Sequence, residues 1–285
     1  MSQAIAYQAL DHYQVLRISG ADSHKFLQGQ LTCDLNDVNG EQAVLGGYCN
    51  VQGRLHATFY ILKASHDYLM ILPTGVAQHL LETLSKYAVF FQTELSLEPN
   101  MALLAIKPSS EAPHLSQISL DEFGAQKLVI GNLELVVLPK LHLADFMADE
   151  LSQAQTATLD LMGLEQIEQG IPMVETVTIE SLLPHYIGLA QNGGVNFEKG
   201  CYTGQEVVAR MHYRGTLKTH PQLASIKTQE PLAAGSEILN GDDKKVGELI
   251  NSAFDGEQLK AIISLADKAL DSELSCHGAA VSILA

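Results

Sequence analysis

The feature that most constrains this chain is a change of pattern along it. Through residue 106 strand and helix patterns alternate, whereas residues 222–285 hold only short strand patterns, QLASIK, KKVGELI, QLKAIISL and AAVSIL, with glycines and an Asn-Gly pair between them. A closing segment of that kind reads as a small all-β domain, a barrel or a sandwich. The earlier alternation of periods two and 3.6 reads as an α+β sheet with helices on one face.

The 285 residues are enough for about two domains at roughly 150 residues each. With 46% apolar and 18% charged residues the chain can bury a sizeable core, the opposite of a disordered composition. Thirty-three acids against 17 bases give a formal charge of −16, which repels bulk nucleic acid and anionic lipid. The first 20 residues have neither a basic start nor an apolar run, so they do not read as a signal peptide. The most apolar stretch, LVIGNLELVVLP, is broken by Gly131-Asn132 and Glu134 and is too short to span a membrane. The expectation is a soluble protein of the cytoplasm. Cys33, Cys49, Cys201 and Cys276 lie far apart with no C-x-x-C, so no metal site is spelled out and a reducing compartment keeps them as thiols.

Within the first part, QVLRIS (14–19), RLHATFYIL (54–62), YLMIL (68–72), TELSLE and MALLAI read as strands. Asp22 fits as the cap of a short helix through Phe26 and Leu27 that ends at Gly29. VAQHLLETLSKY (76–87) puts Val76, Leu80, Leu81 and Leu84 on one helical face. Composition shifts over 107–127 to a polar excursion, and KLVIGNLELVVL then reads as a hairpin about Gly-Asn. Residues 143–169 read as two helical pieces, with Thr158 as cap and Gly170 as stop, and 171–198 as irregular. Three domains are expected: 1–106 and 107–215, both α+β, and 216–285, all-β.

Charge is unevenly placed. Residues 141–198 hold nine acids and no Lys or Arg, whereas 199–220 hold Lys199, Arg210, Arg214 and Lys218 against Glu206 alone. The basic stretch is either an anion site or the partner of the preceding acids. It contains the most informative run, GGVNFEKGCYTGQEVVARMHYRG (193–215), in which glycines mark tight backbone and a helix begins near Gln205. Glu206, Arg210 and Arg214 form a charged stripe and Val207, Val208 and Met211 a buried one. Cys201 precedes the helix N-terminus with Lys199 two residues away, and both features favour a thiolate. A small cysteine buried in a glycine turn accounts for the same spacing.

Lys199-Gly200-Cys201-Tyr202-Thr203-Gly204-Gln205-Glu206 resembles the signature of the YgfZ family of folate-binding proteins, relatives of the glycine-cleavage T-protein that include mitochondrial iron–sulfur assembly factors. ISGADSHKFLQGQLTCD (18–34), NVQGRLHATFYIL (50–62) and IEQGIP (167–172) resemble further segments of that family, in its order. The resemblance implies a T-protein-like clover-leaf: two α+β parts and a C-terminal all-β barrel around a central hole that binds tetrahydrofolate.

It also implies roles. The T-protein's catalytic aspartate lies in a GG-x-x-DD strand; here Ala57 and Thr58 stand at the acids, and neither can act as a base. Classical aminomethyl transfer is therefore not expected. Tyr13 and Met162 fall where some family members line the pterin site with Trp. Tyr13 can stack on a flat ring, and Met162 offers soft apolar contact or simple core packing. The T-protein holds folate with an Arg near the position of Glu168, where Gln166 stands here. Arg54 is the candidate for an anionic tail, or else a surface ion pair. Tyr202, Gln205 and Glu206 complete the expected folate contacts, with Cys201 and Lys199 as the reactive pair. The implied function is support of iron–sulfur cluster assembly or repair, with partners such as a radical tRNA-methylthiolating enzyme. Because one thiol cannot hold a cluster, a partner protein or a second ligand is required. The alternatives are a folate-dependent one-carbon transferase with Cys201 as nucleophile, and a structural folate sensor in which Cys201 is dispensable.

Overall fold

The architecture is that of a computed structural model, which describes residues 6–38, 44–108 and 117–284. The strand Leu55–Ala64 is buried along its first eight residues, so it lacks the alternation of a half-exposed strand. Leu55, Ala57, Phe59 and Ile61 face one core, which also takes Val76, Leu80 and Leu84 of the helix Thr74–Ala88. Tyr60 and Leu62 face a second core, shared with Leu133, Leu135 and Val137. The strand Leu133–Pro139 is buried on both faces in the same way, its Val136 and Leu138 meeting Leu120 and Phe146 of two outer helices. The result is four layers: helix, sheet, sheet and helices. Each leucine taken fully out of water contributes roughly 1.5–3 kcal/mol, which makes the double-sided strands the main source of cohesion.

The first sheet is antiparallel in the order Val44–Cys49, Leu55–Ala64, Asp67–Pro73, Tyr13–Ser19, Glu94–Leu97. The second runs Gln155–Thr156, Ala6–Ala9, Met101–Lys107, Leu133–Pro139, Gln126–Ile130, with its one parallel pairing between the first two. Sheet membership crosses the expected boundary at 106, because Ala6–Ala9 and Met101–Lys107 pair with each other inside the second sheet. The C-terminal segment closes into a barrel of Thr219–Ile226, Leu259–Ala266, Lys245–Phe254, Glu237–Asn240, Leu274–Cys276 and Ala279–Ile283. The fold is therefore the α+β arrangement with an all-β barrel. No helix among the described residues is long and apolar enough to cross a membrane.

Several local expectations change. Asp160, not Thr158, caps the helix Leu161–Glu168, its side chain accepting from the Gly163 N–H. Asp22 precedes the helix Ser23–Gln28 without capping it, because its carboxylate accepts from the Gln92 N–H at 2.8 Å. Of the excursion at 107–127, residues 109–116 lie outside the described residues and Gln117–Glu122 is helical. The strand Val44–Cys49 escapes propensity because packing requires its glycines: a Cβ at Gly46 would lie 2.6 Å from Cys33 Sγ and 2.9 Å from the Phe59 ring.

Candidate functional site

A cavity of about 490 Å³ opens where the three parts meet. The first sheet contributes Tyr13, the helix Leu161–Glu168 with its cap contributes Asp160 and Gln166, the short 3-10 turn Thr176–Thr178 with its cap contributes Thr176 and Glu175, and the barrel contributes Asn251. Its size suits a small organic ligand.

Hydrogen bonds fix the lining. Tyr13 Oη donates to Gln166 Oε1 at 3.0 Å, and Gln166 Nε2 donates to Tyr60 Oη at 3.3 Å. Asp160 Oδ1 accepts from Gly163 N and from Gln8 Nε2, each at 3.0 Å. On the barrel side a register shift between Leu249 and Asn251 interrupts the alternation. Leu249 packs in the barrel interior and Ile250 in the neighbouring core. Such a bulge re-aims the next side chain. Asn251 consequently reaches across to Met173, accepting from its N–H at 2.8 Å and donating to its carbonyl at 3.0 Å. The same Asn251 amide donates to Glu175 Oε1 at 3.1 Å.

The cavity is electronegative. Burial raises the Tyr13 hydroxyl above its ordinary pKa, and Tyr60, Asp160 and Glu175 add to the rise. Burial also raises the Glu175 carboxyl, against the opposing effect of the Asn251 amide. The Glu175 carboxylate is half-buried and accepts from the Asn251 amide and, in a capping box, from the Thr178 N–H; its remaining lone pairs are equipped to receive N–H donors from a ligand.

Of the residues expected to bind folate, Tyr13 lines this cavity. Met162 lies on the same helix as Gln166 but packs fully buried in the core between the sheets, its N–H donating to Gln8 Oε1 at 3.1 Å. Glu168, two residues beyond Gln166 and so on the other side of the helix, is exposed. Arg54 is also exposed, does not line the cavity, and donates to the Ser181 carbonyl. Thr58, standing at one of the T-protein acids, is fully buried. Its Oγ1 accepts from the Val174 N–H at 2.7 Å, which ties down the segment leading into Glu175.

The signature run lies elsewhere and acts as a clasp between segments. Lys199, expected to favour a thiolate at Cys201 from two residues away, sends its ammonium to the carbonyls of Leu31 at 2.8 Å and Cys33 at 2.6 Å. Burial lowers its pKa. Thr203 Oγ1 donates to Gln30 Oε1 at 3.1 Å. Gly204 adopts φ +84°, and a Cβ there would fall 2.5 Å from the Asn50 carbonyl oxygen, so only glycine fits. Tyr202 is buried in the first core, and Gln205 begins the helix Gln205–Arg214. Glu206 lies on that helix's outer face, beside a shallow groove shared with Arg210, Tyr213 and Arg214. Cys201 is the exposed cysteine; Cys33, Cys49 and Cys276 are buried.

Among the lining residues that sequence reasoning passed over are Glu175 and Asn251. The available signal was the stretch 141–198 with nine acids and no base, two of which, Asp160 and Glu175, line the cavity. Asn251 has no such signal, since a bulge in the barrel aims it.

No family model matches the chain. It is 27% identical over 257 residues to the tRNA-modifying protein YgfZ of Colwellia psychrerythraea, covering 86% of this chain and 78% of that protein. It is 32% identical over 220 residues to the tRNA-modifying protein YgfZ of Edwardsiella ictaluri, covering 72% of this chain and 66% of that protein. In three dimensions it matches the glycine cleavage system aminomethyltransferase T of Bartonella henselae with a TM-score of 0.74 and 15% identity, covering all of this chain and 86% of that one. At that identity the likeness is one of fold.

Proposed function

Because the chain belongs to the YgfZ family and has the T-protein fold, we propose that it binds tetrahydrofolate in the central cavity and supports tRNA modification. The observation that carries the reading is Glu175, a half-buried carboxyl lining the cavity with Asn251 at 3.1 Å and Tyr13 in the same lining. A pterin ring presents two neighbouring N–H donors, which one carboxylate accepts together, and a flat face, against which Tyr13 can lie. The residues present therefore fit the cofactor.

Tetrahydrofolate supplies a carrier for a one-carbon unit when bound. The chain's own residues bind and orient it: Gln166, itself bonded to Tyr60, holds Tyr13, Asn251 holds Glu175, and Thr58 fixes the backbone just ahead of Glu175. Neither Ala57 nor Thr58 can take a proton, which argues against glycine-cleavage chemistry. The role in tRNA modification follows the names of the relatives, and in this reading it runs through cytoplasmic iron–sulfur enzymes such as a radical tRNA-methylthiolating enzyme. Cys201, exposed beside the clasp, is the group offered to such a partner.

One observation favours the one-carbon transferase instead: Glu175, raised by burial, has the character of a general base. Incubation with tetrahydrofolate and a glycine-derived aminomethyl donor separates the two, since turnover supports the transferase. Calorimetric titration with tetrahydrofolate tests the shared premise. At a hundredfold excess over Kd the ligand should add about 2.7 kcal/mol to folding stability. No heat and no shift in Tm at millimolar ligand overturns folate binding.

A further inference from the structure

We propose that the cavity holds the pterin head alone and that the glutamate tail of the folate stays outside it, unheld, so that a reduced pterin with no tail is a full ligand of this protein. The inference rests on the folate reading above and narrows its ligand class. It comes from the charges of the lining. Among the described residues, the lining carries three carboxylates, Asp11, Asp160 and Glu175, one imidazole, His12, and no ammonium or guanidinium.

A carboxylate tail needs a cation or a row of N–H donors, and a bidentate guanidinium serves best. Arg54, the guanidinium expected for that task, donates to the Ser181 carbonyl and does not line the cavity. Gln166 spends its amide on Tyr60 and its carbonyl oxygen on Tyr13. Asp11 and His12 are exposed residues of the lining, so the open part of the cavity carries a carboxylate and no cation. Like charges at short range in a partly desolvated site repel more strongly than in water. The neutral, donor-rich pterin edge meets the opposite situation, because the Glu175 carboxylate can accept its N–H groups.

The test is anaerobic calorimetry of the full chain with three ligands: 6-methyltetrahydropterin, tetrahydrofolate with one glutamate, and tetrahydrofolate pentaglutamate. The expected result is a Kd for 6-methyltetrahydropterin within fivefold of that for tetrahydrofolate. The pentaglutamate should bind no more tightly than the monoglutamate, with any penalty shrinking as salt is raised. Asp11→Asn should tighten the pentaglutamate by more than it changes 6-methyltetrahydropterin. A gain of fivefold or more from either tail overturns the inference and leaves the folate reading standing. Failure of all three ligands to bind overturns the folate reading and the inference with it.

Discussion

The ammonium of Lys199 donates to the backbone carbonyl of Cys33 at 2.6 Å, joining the signature run to the N-terminal segment 166 positions away. A second bond to Leu31 completes the clasp. A buried ammonium costs free energy unless it is hydrogen-bonded, and here two carbonyls of a tight turn supply the partners. Lys199→Ala leaves both carbonyls unsatisfied and should cost about 2–4 kcal/mol of stability. Urea unfolding measures it; a loss under about 0.5 kcal/mol, the level of an ordinary surface change, contradicts the clasp.

Cys201 should be the cysteine that labels in the native protein. Burial pushes the thiols of Cys33 and Cys49 up to about 12 and raises Cys276 as well. The thiolate is the nucleophile, so an exposed thiol reacts first. Iodoacetamide at pH 8 with peptide mapping should mark Cys201 alone, and all four after denaturation. Because Lys199 is engaged with Leu31 and Cys33, Lys199→Ala should leave the Cys201 rate within about twofold, provided the variant stays folded. Early labelling of Cys33 or Cys49 contradicts the burial.

Glu175 should leave a mark on the pH dependence of stability. Its folded pKa is raised from 4.5, so the native state holds the proton to higher pH than the unfolded chain does. Stability from this group is therefore full below its unfolded value and is lost as pH rises through its folded value. Glu175→Gln should flatten that part of the profile. It should also weaken tetrahydrofolate, by about ten- to hundredfold if a charged hydrogen bond is lost. Thermal melts from pH 4 to 8 and calorimetry of the variant provide the two readouts; an unchanged pH profile contradicts the half-buried carboxyl.

Gly204→Ala should destabilise the start of the signature helix. The residue sits at φ +84° and its Cβ would press on the Asn50 carbonyl oxygen at 2.5 Å. Strain and clash together should cost about 1–3 kcal/mol or more. Gly200→Ala, where a Cβ would meet nothing within 4 Å, is the control and should melt within about 0.5 kcal/mol of the parent. Equal melting of the two variants contradicts the close approach.

Local physics made much of the fold legible. The helix Thr74–Ala88 buries Val76, Leu80 and Leu84, as its 3.6-residue period requires, and the hairpin turns at Gly131 with φ +54°. The strand runs of the last 64 residues do form the barrel, because strands with one buried face and glycine turns between them are determined over short distances. The signature run and its companion segments were visible as words, and the structure joins them through Lys199 and Gly204. What the words could not contain was direction. Arg54 follows a glycine in a family segment, yet its guanidinium goes to Ser181; Glu168 and Gln166 are neighbours in sequence, yet helical geometry puts one in water and the other in the cavity. Glu175 and Asn251 meet at 3.1 Å across 76 positions only because a barrel bulge and a backbone bond from Thr58 aim them together. Period, capping and turn chemistry act within a few residues and can be read in order. A binding cavity is made by side chains that long-range packing brings face to face, so the tertiary structure alone decided which residues line it.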